Sequence, residues 1–197
     1  QRQAGAHFNP HTYDDIKTIA DHLHYAGVQW NQADIAGSAL LGGGHAHAGL
    51  MIYQGDNWPA EYRGKVFMNN IHGACLNMDV LERRGSGFLG HHAPNPINFN
   101  DRWSQIVNLQ EGPDGAVYLI DWYDKNQCHS NDANQHDRSN GRIFKISYGK
   151  TKFEKVNLQK LTDEQLVQLL LEKNAWQARH AQRILQERGA ERVSEDA

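Results

Sequence analysis

Between His45 and Tyr148, β-branched and aromatic residues gather in short runs, and Gly, Pro, Asn or Asp closes each run. The runs are Ala48–Gln54, Gly64–Asn70, Cys75–Leu81, a weaker Gly87–His91, Ser104–Gln110, Gly115–Trp122 and Arg142–Tyr148. Seven strands are therefore predicted. Grouped as four-stranded meanders, they become strands A to D of one blade and A to C of the next. The fold class expected is mainly β, about two four-stranded β-propeller blades (a partial propeller), followed by a C-terminal α-helical hairpin.

The two ends read differently. Residues 1–44 form an irregular lead-in with one short helix, where Thr12 can act as the cap and Ile16, Ile19, Ala20 and Leu23 keep helical spacing. Residues 45–149 are the partial propeller, and 150–197 a connector with a helical pair. Thr162 with Gln165 has capping-box spacing, and Leu161 with Leu166 can staple it. Leu166, Leu169 and Leu170 form the apolar stripe of the first helix. Asn174 caps the second, whose Trp176, Ala178, Ala181, Ile184 and Leu185 turn inward until Gly189 stops it. Such a pair is either the first unit of a helical solenoid or a simple hairpin packed on the β domain.

Strands in a meander alternate in direction, so the connections sort by end. One end takes 55–63, 82–85 and 111–115, with tight-turn chemistry at Pro113-Asp114-Gly115 and no histidine. The other takes 42–47, 71–74, 92–103 and 123–141, which carry His45, His47, His72, His92, His129 and His136, with His91 at the edge. Binding and catalytic groups concentrate on loops held by a rigid scaffold. Against this stands the ordinary polarity of loops, in which a single histidine commonly makes only surface hydrogen bonds.

Charge and length narrow the classes. The chain has 197 residues and a formal net charge of −3, with both signs interspersed, so no basic stripe offers itself to nucleic acid. No apolar run reaches transmembrane length, and QRQAGAHF lacks the shape of a secretory signal. A closed propeller needs at least four blades of about 40–50 residues. The expectation is a piece of a longer protein or a ring completed by another copy. Cys75 and Cys128 could form one bridge or none, and the reading favours free thiols or a local role.

Several constellations can carry chemistry. In extended backbone the pairs His22/His24 and His45/His47 point to one side, so either can chelate a metal, with Asp21 or Asp34 adding oxygen ligands. In the loop DWYDKNQCHSNDANQHDRSNG, Asp124, His129 and His136 are further candidate ligands; a solvated loop built on Asx turns competes with that reading. Lys125 stands where a haem-attachment motif ending in Cys128-His129 would need its first cysteine, so no covalent haem is expected on this chain. Arg102 beside Trp103 can hold a carboxylate and stack on a planar ring. Asn70, Asp121 and Trp122 are the other candidate cofactor contacts, and His72, His45 and His47 the candidate catalytic groups, His72 as acid or base.

The segments GGGHAHAGLMIY, NWPAEYRGKVFMNNIHGACLNMDVLE, GSGFLG, GPDGAVYLIDWYDKNQCH and HDRSNGRIFKISYG together resemble the membrane-bound dehydrogenase family abundant in planctomycetes and related bacteria. That family's propeller is similar to soluble quinoprotein glucose dehydrogenase and sorbosone dehydrogenase. The resemblance covers nearly the whole chain. It implies an extracytoplasmic protein, periplasmic or membrane-associated, whose propeller is followed in longer members by HEAT-like repeats and often a c-type cytochrome domain. It further implies pyrroloquinoline quinone and calcium as cofactors, with the catalytic histidine and much of the quinone pocket in earlier blades. Where the quinoprotein relatives present a basic cofactor contact, this chain has Asn70 and His72.

Three functions follow as expectations. The first is an oxidoreductase that oxidises a sugar or alcohol and passes electrons to a cytochrome. The second is a non-catalytic carbohydrate-binding or assembly propeller. The third is a metal-dependent hydrolase in which His-x-His pairs and an aspartate activate water.

Overall fold

The computed structural model describes residues 46–125, 132–151 and 155–195. The lead-in helix, His22, His24, His45, Cys128 and His129 lie outside the described residues. Seven strands form: β1 (His47–Ile52), β2 (Val66–Asn70), β3 (Cys75–Arg84), β4 (Gly87–Asn98), β5 (Ile106–Glu111), β6 (Val117–Asp121) and β7 (Arg142–Ile146). They make two antiparallel sheets, one of four strands ordered β1-β2-β3-β4 and one of three ordered β5-β6-β7. No closed barrel forms among the described residues. No helix among them is long and apolar enough to cross a membrane.

The β3–β4 hairpin is longer than the sequence pattern predicts. β3 runs through the expected 82–85 loop to Arg84, and β4 continues past His91 to Asn98. Pro94 and Pro96 are the reason for the difference, because two prolines read as a loop. Here they fall on the outer strand of the sheet, within the register shift between the Leu76↔Ile97 and Met78↔Ala93 pairs. Edge strands and bulges are where a residue without an N–H is tolerated. His91 and His92 therefore belong to a strand and not to a loop, and His92 is paired opposite Asp79.

β1 carries a second irregularity, between Ala48 and Met51. Gly49 sits there with φ +63°, and a Cβ on it would lie 2.7 Å from the Asn108 Cα and 2.9 Å from the Leu109 nitrogen. The backbones of β1 and β5 thus approach to a distance only glycine permits. Around this contact Phe67, Leu76, Ile106 and Leu119 are buried, the apolar alternate positions of their strands.

The chain divides into two compact units. One comprises the described residues up to Ile52 with Gly64–Gln110 and Leu119–Phe144; the other comprises Tyr53–Arg63, Glu111–Tyr118 and the chain from Lys145 onward. The second unit is organised by the buried Tyr53 hydroxyl, which donates to the Gly115 carbonyl (2.8 Å) and accepts from the Asn57 and Trp58 N–H groups (3.0 and 2.7 Å). Trp58 stacks on Tyr53 and donates its indole N–H to the Ile146 carbonyl.

The helical pair of this unit forms at the predicted signals. Thr162 and Gln165 make a complete capping box at the start of α1 (Asp163–Leu169), and Asn174 accepts from the Trp176 N–H at the start of α2 (Ala175–Glu195). Leu166, Ala181 and Ile184 form the core, with Leu158, Leu161, Leu169 and Leu185 against it. Leu170 caps α1 and is largely exposed, outside the stripe assigned to it. Gly189 does not end α2 either. A mid-helix glycine costs about 1 kcal/mol. The neighbouring Arg188 offsets it by donating to the Leu161 and Gln159 carbonyls and the Asp163 carboxylate, fastening that turn of the helix.

Two stability outcomes follow from these contacts. Gly49→Ala adds a backbone clash of about 1–3 kcal/mol to a left-handed penalty of about 1–2 kcal/mol. Gly85→Ala, with φ +61° and open space around it, meets only the second; urea midpoints of the two variants should separate accordingly. Glu111 is buried and accepts from the Gln54 N–H at 2.7 Å, and burial pushes its carboxyl above the ordinary 4.5 against the opposing pull of that N–H, Arg179 and Arg63. The folded chain holds this proton to higher pH than the unfolded chain, so stability is full below about pH 4.5 and falls as pH rises through the raised value. Glu111→Gln removes that slope, and denaturant midpoints measured across pH should favour the wild type progressively towards acid.

Candidate functional site

The densest polar cluster gathers where β5 begins, β6 ends and β7 begins. Asp121 closes β6 with its carboxylate buried. One oxygen accepts from the Gln105 and Tyr123 N–H groups (2.7 and 3.1 Å) and the other from Nε and Nη2 of Arg142 (2.9 and 2.6 Å), with the Ser104 hydroxyl at 3.5 Å. A buried carboxylate needs this many donors to stay charged. Arg142 also reaches Asp101 at 3.4 Å, and its guanidinium carbon lies 3.6 Å from the Tyr123 ring centroid. Tyr123 packs in turn on Trp103, with centroids 5.8 Å apart at 53°.

Asp124 follows directly and is fully buried. Its backbone is fixed on both sides: its N–H donates to the Trp103 carbonyl (3.0 Å), and its own carbonyl accepts from the Gln105 side chain (2.6 Å). Its carboxylate contacts His136 Nδ1 and the Asp137 N–H, both at 3.2 Å. His136 lies just past the short 3-10 turn Ala133–Gln135, which Asp132 caps through the Asn134 N–H. The side chain of His136 is 22% exposed and that of Asp124 is 0% exposed. The outcome is a partly exposed imidazole held by a buried carboxylate.

The four-stranded sheet holds a second polar set. His47 pairs with Asn70 across β1–β2, and Asn70 with Cys75 across β2–β3, so the three lie in one row on one face. Asn77 and Asp79 continue that face along β3, Asn77 bonding Asn95 (2.7 Å) and Asp79 bonding His92 Nδ1 (3.0 Å). His72 occupies the turn after β2 and is buried, and the Asn70 side chain accepts from the Gly73 N–H. Cys75 is a free buried thiol whose pKa burial pushes up to about 11, so it stays protonated near neutrality.

Of the sequence candidates, the structure brings Asp124 and His136 together directly, and His47 and Asn70 through strand register. No group of three metal-ligating side chains exists among the described residues. The four expected cofactor contacts divide. Asn70 and Asp121 turn their oxygens inward to the chain's own N–H groups and Arg142, whereas Arg102 and Trp122 are exposed. One exposed guanidinium with an inward-turned amide and carboxylate does not fit a quinone bearing several carboxylates. The sequence reading passed over Arg142, Asp101, Tyr123 and Asp79. Asp79 shares β3 with Asn77, Glu82, Arg83 and Arg84, so its acid carried no distinct signal, and Arg142 had none beyond its place at the start of a run.

The chain belongs to the family described as Domain of unknown function (DUF7133), whose model matches residues 5–150 and so spans all seven strands. No curated protein and no solved structure matches it.

Asp121 and Trp122 are adjacent, yet their substitutions should behave oppositely. Asp121→Asn strips the charge from the Arg142 and backbone donors and should cost about 2–3 kcal/mol in urea unfolding. Trp122→Ala leaves the backbone bond from residue 122 to the Gln105 carbonyl in place and should stay within about 0.5 kcal/mol.

Proposed function

We propose that this domain is the substrate-side part of a β-propeller oxidoreductase acting on a sugar or other alcohol, with His136, in place of the earlier-blade histidine that the resemblance implies, as the group that accepts the hydroxyl proton. The observation that carries the reading is the Asp124–His136 pair. An imidazole whose Nδ1 is held by a buried carboxylate is fixed in orientation, and that carboxylate favours the ring's taking up a proton from a substrate hydroxyl. The proton-accepting half of an alcohol oxidation is what these residues can supply. Meander sheets of four and three strands support a propeller architecture, and the sequence resemblance to sugar-oxidising quinoproteins supports the substrate class. On this reading the protein works outside the cytoplasm, passes electrons to a c-type cytochrome and continues the α1–α2 pair into HEAT-like repeats.

The test is dye-linked oxidation of a panel of sugars and alcohols by the protein, with and without added pyrroloquinoline quinone and calcium. Turnover is expected, and His136→Ala should lower kcat by about 10²–10⁴-fold with KM little changed. Asp124→Asn should lower kcat by a smaller factor. Full activity in His136→Ala, or no dye reduction with any substrate, would sink the reading in favour of a non-catalytic ligand-binding domain.

A further inference from the structure

We propose that Trp103, Tyr123, Asp101 and Arg142 form a saccharide subsite that seats an uncharged sugar against the Trp103 ring and reads two adjacent hydroxyls with the Asp101–Arg142 pair. This deepens the proposed function by naming the substrate's chemistry, and it rests on that reading only for what happens to the sugar after it binds.

The aromatic half is built and not incidental. Trp103 is 46% exposed, while the residues after it, Ser104 and Gln105, are buried. Tyr123 supports it from beside, and the Arg142 guanidinium lies over the Tyr123 ring, so ring, ring and cation form one packed stack. Trp103 and Asp101 are tied together, since the Trp103 N–H donates to Asp101 Oδ1 at 3.1 Å. A flat exposed indole beside planar polar groups suits a sugar, whose C–H face stacks while its rim hydroxyls need donors and acceptors.

The polar half has capacity in reserve. Arg142 directs Nε and Nη2 at Asp121 and Asp101, and Nη1 makes no hydrogen bond to any described residue. The Asp101 Oδ2 contact with Nη2 is long, at 3.4 Å, and the two side chains are 36% and 33% exposed. A partly open carboxylate–guanidinium pair offers one acceptor and a pair of donors in a plane, the pattern that two vicinal hydroxyls complement. Two carboxylates, Asp101 and Asp121, face this single guanidinium. Because Arg142 already faces two carboxylates, it is a weak receptor for a further anion, which favours uncharged sugars over uronates and sugar phosphates.

Backbone conformation points to the same place. Asn100 and Tyr123 both have positive φ, +53° and +48°. A left-handed aromatic residue is uncommon, and such conformations gather at ligand clamps. Asn100 directly precedes Asp101, and Tyr123 is itself one of the subsite's aromatic residues. Because Asp124 donates to the Trp103 carbonyl, the platform and the Asp124–His136 pair share one backbone bridge.

The experiment is titration of the full chain with methyl mannoside, cis-1,2-cyclohexanediol, cyclohexanol and glucuronate, followed by tryptophan fluorescence and NMR shifts. Methyl mannoside and the diol should bind, with cyclohexanol and glucuronate at least about fivefold weaker. Trp103→Ala should weaken methyl mannoside about tenfold, Trp103→Phe should recover most of it, and Asp101→Asn should weaken the diol without altering the NMR fold signature. Phe88→Ala, at an exposed aromatic near the start of β4, should bind as the wild type does. Wild-type affinity in Trp103→Ala, a preference for glucuronate, or no saccharide binding would overturn the subsite. Saccharide binding that depends on Trp103 but yields no turnover would leave the subsite standing and remove His136 as the proton acceptor.

Discussion

The burial of the Asp121 carboxylate is the constraint around which this end of the β domain is arranged. A carboxylate removed from water has to be met by donors, and those that meet it come from separate stretches of chain: Gln105 before β5, Tyr123 after β6 and Arg142 at the start of β7. Satisfying one side chain therefore fixes the relative positions of three strand ends. It also sets the left-handed turn at Tyr123, since that residue's N–H is one of the donors. The aromatic stack, the Asp101–Arg142 pair and the placement of Asp124 are consequences of that geometry.

The domain uses the same carboxylate–imidazole pairing twice, with different outcomes. Asp79 and His92 face each other across β3 and β4, with side chains only 4% and 10% exposed, and serve to satisfy polar groups inside a sheet. Asp124 and His136 make the same contact on loops, where the ring is 22% exposed. Position in the fold, and not residue type, decides how far such a histidine is exposed.

That dependence on position explains how much was legible beforehand. Strands were readable because short β-branched and aromatic runs ended at Gly, Pro and Asn, and the helical pair because Thr162, Gln165 and Asn174 are local signals. His136 and Asp124 were legible as candidates, since both lie in one loop. Arg142 and Asp79 were not, because their importance comes from partners 21 and 13 residues away in sequence, brought close only by the meander. Pro94 and Pro96 misdirected the reading by imitating a loop inside a strand.

Those prolines have a further consequence. An outer strand normally exposes a row of N–H and C=O groups that another chain can zip onto, which is how sheets polymerise. β4 is 12 residues long and would be an inviting template. Pro94 and Pro96 carry no N–H, and the ladder is irregular between Leu76 and Met78, so a strand laid along β4 would meet a bent and poorer template than a regular edge. The feature that hid the strand from sequence reading thus also makes its rim less inviting to extend.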